Sequence, residues 1–72
     1  MQRNEAIALS KILMDFGVDL SWLSINETTS QNWIIQINRS FNHGFIESLI
    51  ENKNLAIKEN KGYWIIYNPL TD

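Results

Sequence analysis

The side chains that could perform chemistry are few in this sequence. His43 is the single histidine, and the chain has no cysteine. A transition-metal site would need further nitrogen or sulfur ligands, and a serine nucleophile would need a histidine that another group orients. No such partner lies near His43, which precedes Gly44 where a helix is expected to begin. We therefore interpret His43 as a solvent-exposed turn or cap residue.

Two pairs of glutamates have spacings that acid–base chemistry could use. Glu47 and Glu51 are one helical turn apart, and Glu27 and Glu59 each precede one copy of a repeated tripeptide. Paired carboxylates act as acid and base when they are buried and close together. The first pair lies on the polar face of a predicted helix and the second beside predicted turns, so solvation explains both. We expect a protein that is not an enzyme and that uses no cofactor and no metal.

Length and composition limit the class of protein. The 72 residues predict a single small domain, residues 1–72, with a marginal core that dimerisation could extend. No apolar run approaches the roughly 20 residues of a membrane-spanning helix, and the lack of cysteine gives no sign of secretion. We expect a cytoplasmic protein without a membrane partner. The net charge of −2 provides no general attraction to nucleic acid.

The tripeptide Trp-Ile-Ile occurs twice, at residues 33–35 and 64–66. Each copy follows an Ile-polar-Glu segment and a polar turn, and an asparagine comes soon after it. A shared pattern predicts a shared local structure, here an internal repeat. Because β-branched and aromatic residues favour strands, both copies are predicted as strands.

The first half of the chain predicts a helix and two strands. Apolar residues recur at helical spacing over residues 4–16, with Asn4 as the expected N-cap and Gly17 as the end of the helix. Alternation predicts a strand over residues 18–25, with a bulge or a change of face near Trp22 and Leu23, where the alternation breaks. Residues 26–32 are polar and predict a loop before the strand at 33–37.

The second half predicts a helix and a hairpin. An apolar stripe beginning at Phe45 indicates a helix, with Ser40 or Asn42 as its cap and an end near residues 52–54. A strand over residues 55–58 leads to a Gly-containing turn at residues 60–62. A return strand follows over residues 63–68, and Pro69 ends it.

These elements predict an α+β fold made of two αββ units, giving a four-stranded antiparallel sheet with two helices on one face. A winged helix is the alternative. It would require a helix over residues 31–39, and residues 45–67 resemble the end of many winged-helix DNA-binding domains. The repeated Trp-Ile-Ile favours strands and therefore the αββ arrangement.

Such a sheet has one face covered by helices and one open face. If the tryptophans point the same way, we expect the helices to cover these residues: Trp33, Ile35, Ile37, Trp64 and Ile66. The open face would then carry an apolar and aromatic patch, and the predicted protein-binding residues are Ile34, Tyr63, Ile65 and Tyr67. A one-residue slip in register would reverse the two faces. Cover of this patch by Trp22, Leu23 or the C-terminal tail is the other interpretation.

The leading functional hypothesis is a small interaction module that binds itself, as a homodimer, or another protein through this face. A regulatory or phage-type inhibitor would fit it. The alternative is a winged-helix DNA-binding transcriptional regulator that uses Arg39, Lys53, Lys58 and Lys61. Nucleic acid is the less favoured partner, because lysines on an edge strand also discourage aggregation.

Overall fold

The computed structural model describes residues 1–29 and 32–70. It contains helix α1 and a short 3₁₀ helix, then a hairpin, helix α2 and a second hairpin. In chain order the elements are α1 (Arg3–Asp15), the 3₁₀ helix (Leu20–Trp22), β1 (Leu23–Thr29), β2 (Asn32–Asn38), α2 (His43–Ile50), β3 (Ala56–Asn60) and β4 (Tyr63–Tyr67). The strands form one antiparallel sheet of order β1-β2-β4-β3. The predicted α+β fold, with two helices and a four-stranded antiparallel sheet, is confirmed.

Helix α1 begins at Arg3, and its N-cap lies two residues before the predicted one. Its N-cap is Gln2, which makes no side-chain capping bond, so the prediction of Asn4 as N-cap was wrong. The helix can begin without a side-chain cap because its buried stripe, which includes Ala6, Leu9 and Leu13, holds it against the sheet.

Gly17 ends α1 as predicted. It has a φ of 107°, a conformation that side chains with a Cβ rarely adopt. The Gly17 N–H donates to the Met14 carbonyl at 3.0 Å, and the Val18 N–H donates to the Leu13 carbonyl at 3.1 Å. These two bonds form a Schellman motif, in which buried Val18 returns onto buried Leu13.

The predicted strand over residues 18–25 was wrong for its first half. Asp19 accepts a hydrogen bond from the Ser21 N–H at 2.8 Å, and this bond caps the 3₁₀ helix. A local side-chain bond of this kind competes with the backbone ladder of a strand. The strand begins at Leu23, where the alternation of the sequence breaks.

Strand β1 then continues to Thr29, through much of the segment predicted as a loop. Its pairing with β2 shifts register between Glu27 and Thr29. Residues 30 and 31 of the predicted loop lie outside the described residues. Strand pairing therefore extends into a polar sequence that has no apolar alternation to predict it.

The winged-helix alternative was wrong, because Asn32–Asn38 is a strand and not a helix. Strand β2 lies in the middle of the sheet and pairs with β1 on one side and β4 on the other. In the β2–β4 ladder, Ile35 pairs directly with Ile66. The last residues of the two Trp-Ile-Ile tripeptides thus face each other at the centre of the sheet.

The second αββ unit follows the prediction closely. Asn42 caps α2 by accepting a hydrogen bond from the Phe45 N–H at 3.3 Å. The helix ends at Ile50, before the predicted residues 52–54. In the β3–β4 hairpin, Lys61 and Gly62 have φ values of 52° and 87°, as a two-residue type I′ turn requires.

The core lies between the helices and one face of the sheet. Ile35, Ile37 and Ile66 have no exposed surface and pack in one cluster with the buried residues of both helices. Trp33 and Trp64 are partly buried against the same cluster. The helices therefore cover the tryptophan face, as predicted from the alternation.

Candidate functional site: the open sheet face

The strand register assigns the remaining residues to the open face. Gln36 pairs with Ile65 and Asn38 with Tyr63, and alternate residues of a strand point to opposite faces. The four predicted protein-binding residues, Ile34, Tyr63, Ile65 and Tyr67, therefore all lie on the face away from the helices.

The two isoleucines form the floor of this face. Ile34 is 9% exposed and Ile65 is 3% exposed, although neither belongs to the core cluster beneath the helices. Ile65 lies between Gln36 on β2 and Lys58 on β3 in the ladder. Long side chains from neighbouring strands thus supply the cover that helices supply on the other face.

The two tyrosines flank this floor along β4. Tyr63 is 42% exposed and Tyr67 is partly buried. The Lys58 Nζ lies 4.4 Å from the centroid of the Tyr67 ring, a cation–π distance. A partner that approaches this part of the open face would therefore contact Tyr63, Tyr67 and Lys58 before it reached Ile34 or Ile65.

A polar network continues the face across β2 and β1. The Gln36 Oε1 accepts hydrogen bonds from the Asn26 amide at 2.9 Å and from the Ser24 hydroxyl at 3.2 Å. Asn26 also donates to the Ser24 Oγ at 3.2 Å. The open face thus has an aromatic half over β4 and a hydrogen-bonding half over β1.

Of the segments proposed as a cover, Leu23 lies on the other side of the sheet, and Trp22 and the described end of the C-terminal tail are exposed. Leu23 packs against the core cluster on the opposite side of the sheet. Trp22 is 39% exposed, and Leu70 in the C-terminal tail is 83% exposed. The burial of Ile34 and Ile65 is best attributed to their neighbours within the sheet.

The four basic residues of the DNA-binding alternative divide between the two ends of the second hairpin. The Arg39 N–H donates to the Gly62 carbonyl at 3.1 Å, so Arg39 lies beside the turn that contains Lys61. The Arg39 Nη1 also makes an ion pair with the Glu59 Oε2 at 2.8 Å. Lys58 lies on the open face of β3, and Lys53 lies beyond the other end of that strand.

His43 has a structural role that the sequence did not reveal. It is the first residue of α2, half-buried, and its Nε2 lies 3.1 Å from the Glu47 Oε1. Its ring centroid is 4.5 Å from that of Trp64. The Trp64 Nε1 in turn donates to the carbonyls of Arg39 and Phe41, at 3.2 and 3.3 Å. Together these contacts join the β2–α2 connection to β4.

A second exposed apolar surface lies at the end of α1, and the sequence prediction missed it. We call it the α1-exit surface; it comprises Leu20 and Trp22 of the 3₁₀ helix, whereas Ile12 and Phe16 are exposed on α1 itself, where the Phe16 ring packs edge-to-face on Phe45. Phe16 is 61% exposed and Leu20 is 71% exposed. Periodicity had assigned Ile12 and Phe16 to the buried stripe of α1 and had assigned Leu20 and Trp22 to a strand. The break of alternation at Leu23 was the available signal that the chain turns here.

No family model, curated protein or solved structure matched this chain. Within residues 1–29 and 32–70, no cluster of three or more histidines and carboxylates could hold a metal ion. Neither helix in this part of the chain has the length and apolar character needed to cross a bilayer.

Proposed function

We propose that this protein is a small cytoplasmic interaction module, and not an enzyme, that binds itself or another protein through its open sheet face. One observation carries the proposal. Tyr63 and Tyr67 stand on either side of buried Ile65, on a face that neither helix covers. A regulatory or inhibitory role is the form of this function that a small binding domain fits best.

Physical chemistry favours tyrosine at such a surface. A tyrosine ring buries a large apolar area at the cost of few rotatable bonds, and its hydroxyl still finds a partner in a mixed environment. The floor of Ile34 and Ile65 is already desolvated, so the partner need only displace water from the rings and their border. A centre of this kind, surrounded by polar groups, has the composition of an interface hot spot.

The polar half of the face would supply specificity. Ser24, Asn26 and Gln36 hold one another in place, so their remaining donors and acceptors are already oriented for a partner. Preorganised groups lose less conformational entropy on binding. We expect them to bind an uncharged polar segment in preference to a strongly charged one.

Two of the glutamates considered for acid–base chemistry make exposed contacts with basic side chains. Glu59 pairs with Arg39, and Glu47 lies beside His43. Neither contact is the buried pair of carboxylates that acid–base catalysis uses.

The test compares two double variants, each of which replaces two large side chains by serine. Tyr63→Ser with Tyr67→Ser removes the aromatic half of the open face, and Phe16→Ser with Leu70→Ser removes exposed apolar side chains elsewhere. Each protein is immobilised to capture binding partners, and its assembly is measured by light scattering. We expect the tyrosine variant to lose the captured partners, or the self-association through the open face, that the wild type and the control retain. Retention of both by a folded tyrosine variant would contradict the proposal.

A further inference from the structure

The two edges of the sheet differ in how they are protected. Strand β3 has five residues and carries Lys58 and Glu59, with Lys61 in its turn. Charged residues of this kind, lysine above all, discourage an edge strand from pairing with another strand. Strand β1 has seven residues, and Glu27 is its single charged side chain. β1 is therefore the less protected edge, and its register shift between Glu27 and Thr29 limits a further strand to the segment before that shift.

Two backbone bonds show which residues of β1 face outward. The Leu23 N–H donates to the Leu20 carbonyl and so turns away from β2. The Trp33 N–H of β2 donates to the Met1 carbonyl and not to β1. Because successive residues of a strand direct their backbone groups to opposite sides, Ile34 and Gln36 direct theirs to β1. Ser24 and Asn26 therefore bond inward, and Ile25 presents its N–H and carbonyl to the outer edge.

We propose that β1 is a self-association edge, at which the β1 strands of two copies pair in antiparallel fashion about Ile25. The Ile25 residues of the two copies exchange both backbone hydrogen bonds on a two-fold axis. The four-stranded sheets then join into one sheet of eight strands, with all helices on one face. This surface is separate from the open face, so the inference goes beyond the proposed function and does not depend on it.

Charge favours this partner and this register. Pairing about Ile25 sets the two Glu27 residues four positions apart along the strands, about 13 Å. That separation exceeds the Debye length of about 8 Å at physiological ionic strength. A register centred on Asn26 would halve it, and one centred on Glu27 would oppose the two carboxylates directly. The residues that lie opposite each other match in part: on the helix side Ile25 pairs with Ile25 and Leu23 with Glu27, and on the other side polar Ser24 pairs with polar Asn26.

The α1-exit surface supplies the apolar burial that strand pairing needs. Isolated strand pairs are marginal in water without an apolar face. Leu20 and Trp22 come directly before β1 and are exposed. Both residues adjoin the Leu23 end of β1, so a second copy paired along β1 reduces their exposed apolar area.

Two double variants test the register. Pairing about Ile25 places Ser24 across from Asn26 of the second copy, in a pair whose side chains lie closest. Ser24→Lys with Asn26→Lys sets lysine opposite lysine, whereas Ser24→Lys with Asn26→Glu sets lysine opposite glutamate. Both remove the same bonds to Gln36, so they are matched controls for folding. In a register centred on Asn26, the glutamates would instead oppose each other.

Sedimentation equilibrium measures the dimer dissociation constant of each protein. We expect the wild type to dimerise, the lysine–lysine variant to bind itself at least about tenfold more weakly, and the lysine–glutamate variant to recover most of that loss. Tyr63→Ser with Tyr67→Ser should leave this dimer intact even if it abolishes partner binding. A wild type that remains monomeric, or equal constants for the two double variants, would overturn the proposal.

Amide hydrogen exchange on the wild type tests the same edge without substitution. The Ile25 N–H should exchange at least about tenfold more slowly at concentrations above the dissociation constant than below it. Ile57 on β3 is the control, because alternation also turns its N–H to an outer edge. Equal exchange of the Ile25 amide at both concentrations would contradict the pairing.

Discussion

The two faces of this sheet achieve burial by different means. Neighbouring Ile34 and Ile35 point to opposite faces, yet they are 9% and 0% exposed. Helices cover Ile35, whereas side chains of the adjoining strands border Ile34. The pair Ile65 and Ile66 repeats the difference. A strand that carries isoleucine on both faces needs both kinds of cover, and the second kind can be rearranged when a partner binds.

The largest predicted effect comes from breaking the covered face. Ile35→Ala leaves a cavity between the helices and the sheet, and we expect it to lower the free energy of unfolding by about 2 to 5 kcal/mol. Ile34→Ala should lower it by only about 1 to 2 kcal/mol, because neighbouring side chains can close over the gap. Urea denaturation of both variants measures the difference.

Ile35→Val, with an expected loss of about 0.5 to 1.5 kcal/mol, keeps the comparison measurable if the alanine variant does not fold. Ile66→Ala and Ile65→Ala repeat the test on β4 with the same expected order. Equal losses within either neighbouring pair would show that the open face is packed as tightly as the covered one.

The next prediction compares the two tryptophans of the covered face. Trp64 donates through its Nε1 to two backbone carbonyls, whereas the ring of Trp33 lies 5.9 Å from the Arg3 guanidinium. Trp64→Phe removes those bonds, and we expect it to cost about 1 kcal/mol more than Trp33→Phe. Thermal unfolding of the two variants measures this difference. Equal melting temperatures would mean that the Trp64 bonds add nothing to stability.

The sequence predicted most of the fold because several of its local signals agree. Gly17 after the helical stripe, Asn42 before the second helix and the turn at Gly62 each specify one backbone conformation. The repeated Trp-Ile-Ile then identified β2 as a strand. It also identified the face that packs under the helices, because period-two alternation allows only two choices.

The residue at which β1 begins and the exposure of the site could not be predicted in this way. Residues 18–22 alternate like a strand, but the bond from Ser21 to Asp19 turns the chain instead. The burial of Ile34 and Ile65 depends on which side chains adjoin them across the strands. That information lies in the register between strands and not in any single segment.

A smaller predicted effect compares the interaction energies of two pairs that include a charged side chain, one on each face of the sheet. Lys58 and Tyr67 on the open face should show a coupling of about 0.5 to 1 kcal/mol in a double-mutant cycle with alanine, because the ammonium lies over the ring. Arg39 and Glu59 are both well exposed, and we expect their coupling to be about 0.5 kcal/mol or less. Urea denaturation at low and at 1 M salt completes the test. The Arg39–Glu59 coupling should decrease further in salt, and a larger value for this pair would reverse the expected order.

The smallest predicted effect concerns how β1 enters the sheet. The backbone N–H and the hydroxyl of Ser21 both donate to Asp19, and these bonds lower the pKa of the Asp19 carboxyl. Because the folded-state pKa lies below the unfolded one, the stabilisation is complete above the unfolded pKa and is lost as pH falls through the folded value, below about pH 4. Asp19→Asn should therefore melt slightly below the wild type at pH 7, and the two should converge on acidification. This cap turns residues 20–22 out of the strand, so β1 begins at Leu23, whose side chain lies on the covered face. A difference in melting temperature that persists at pH 2 would show that the charge of Asp19 does not stabilise that turn.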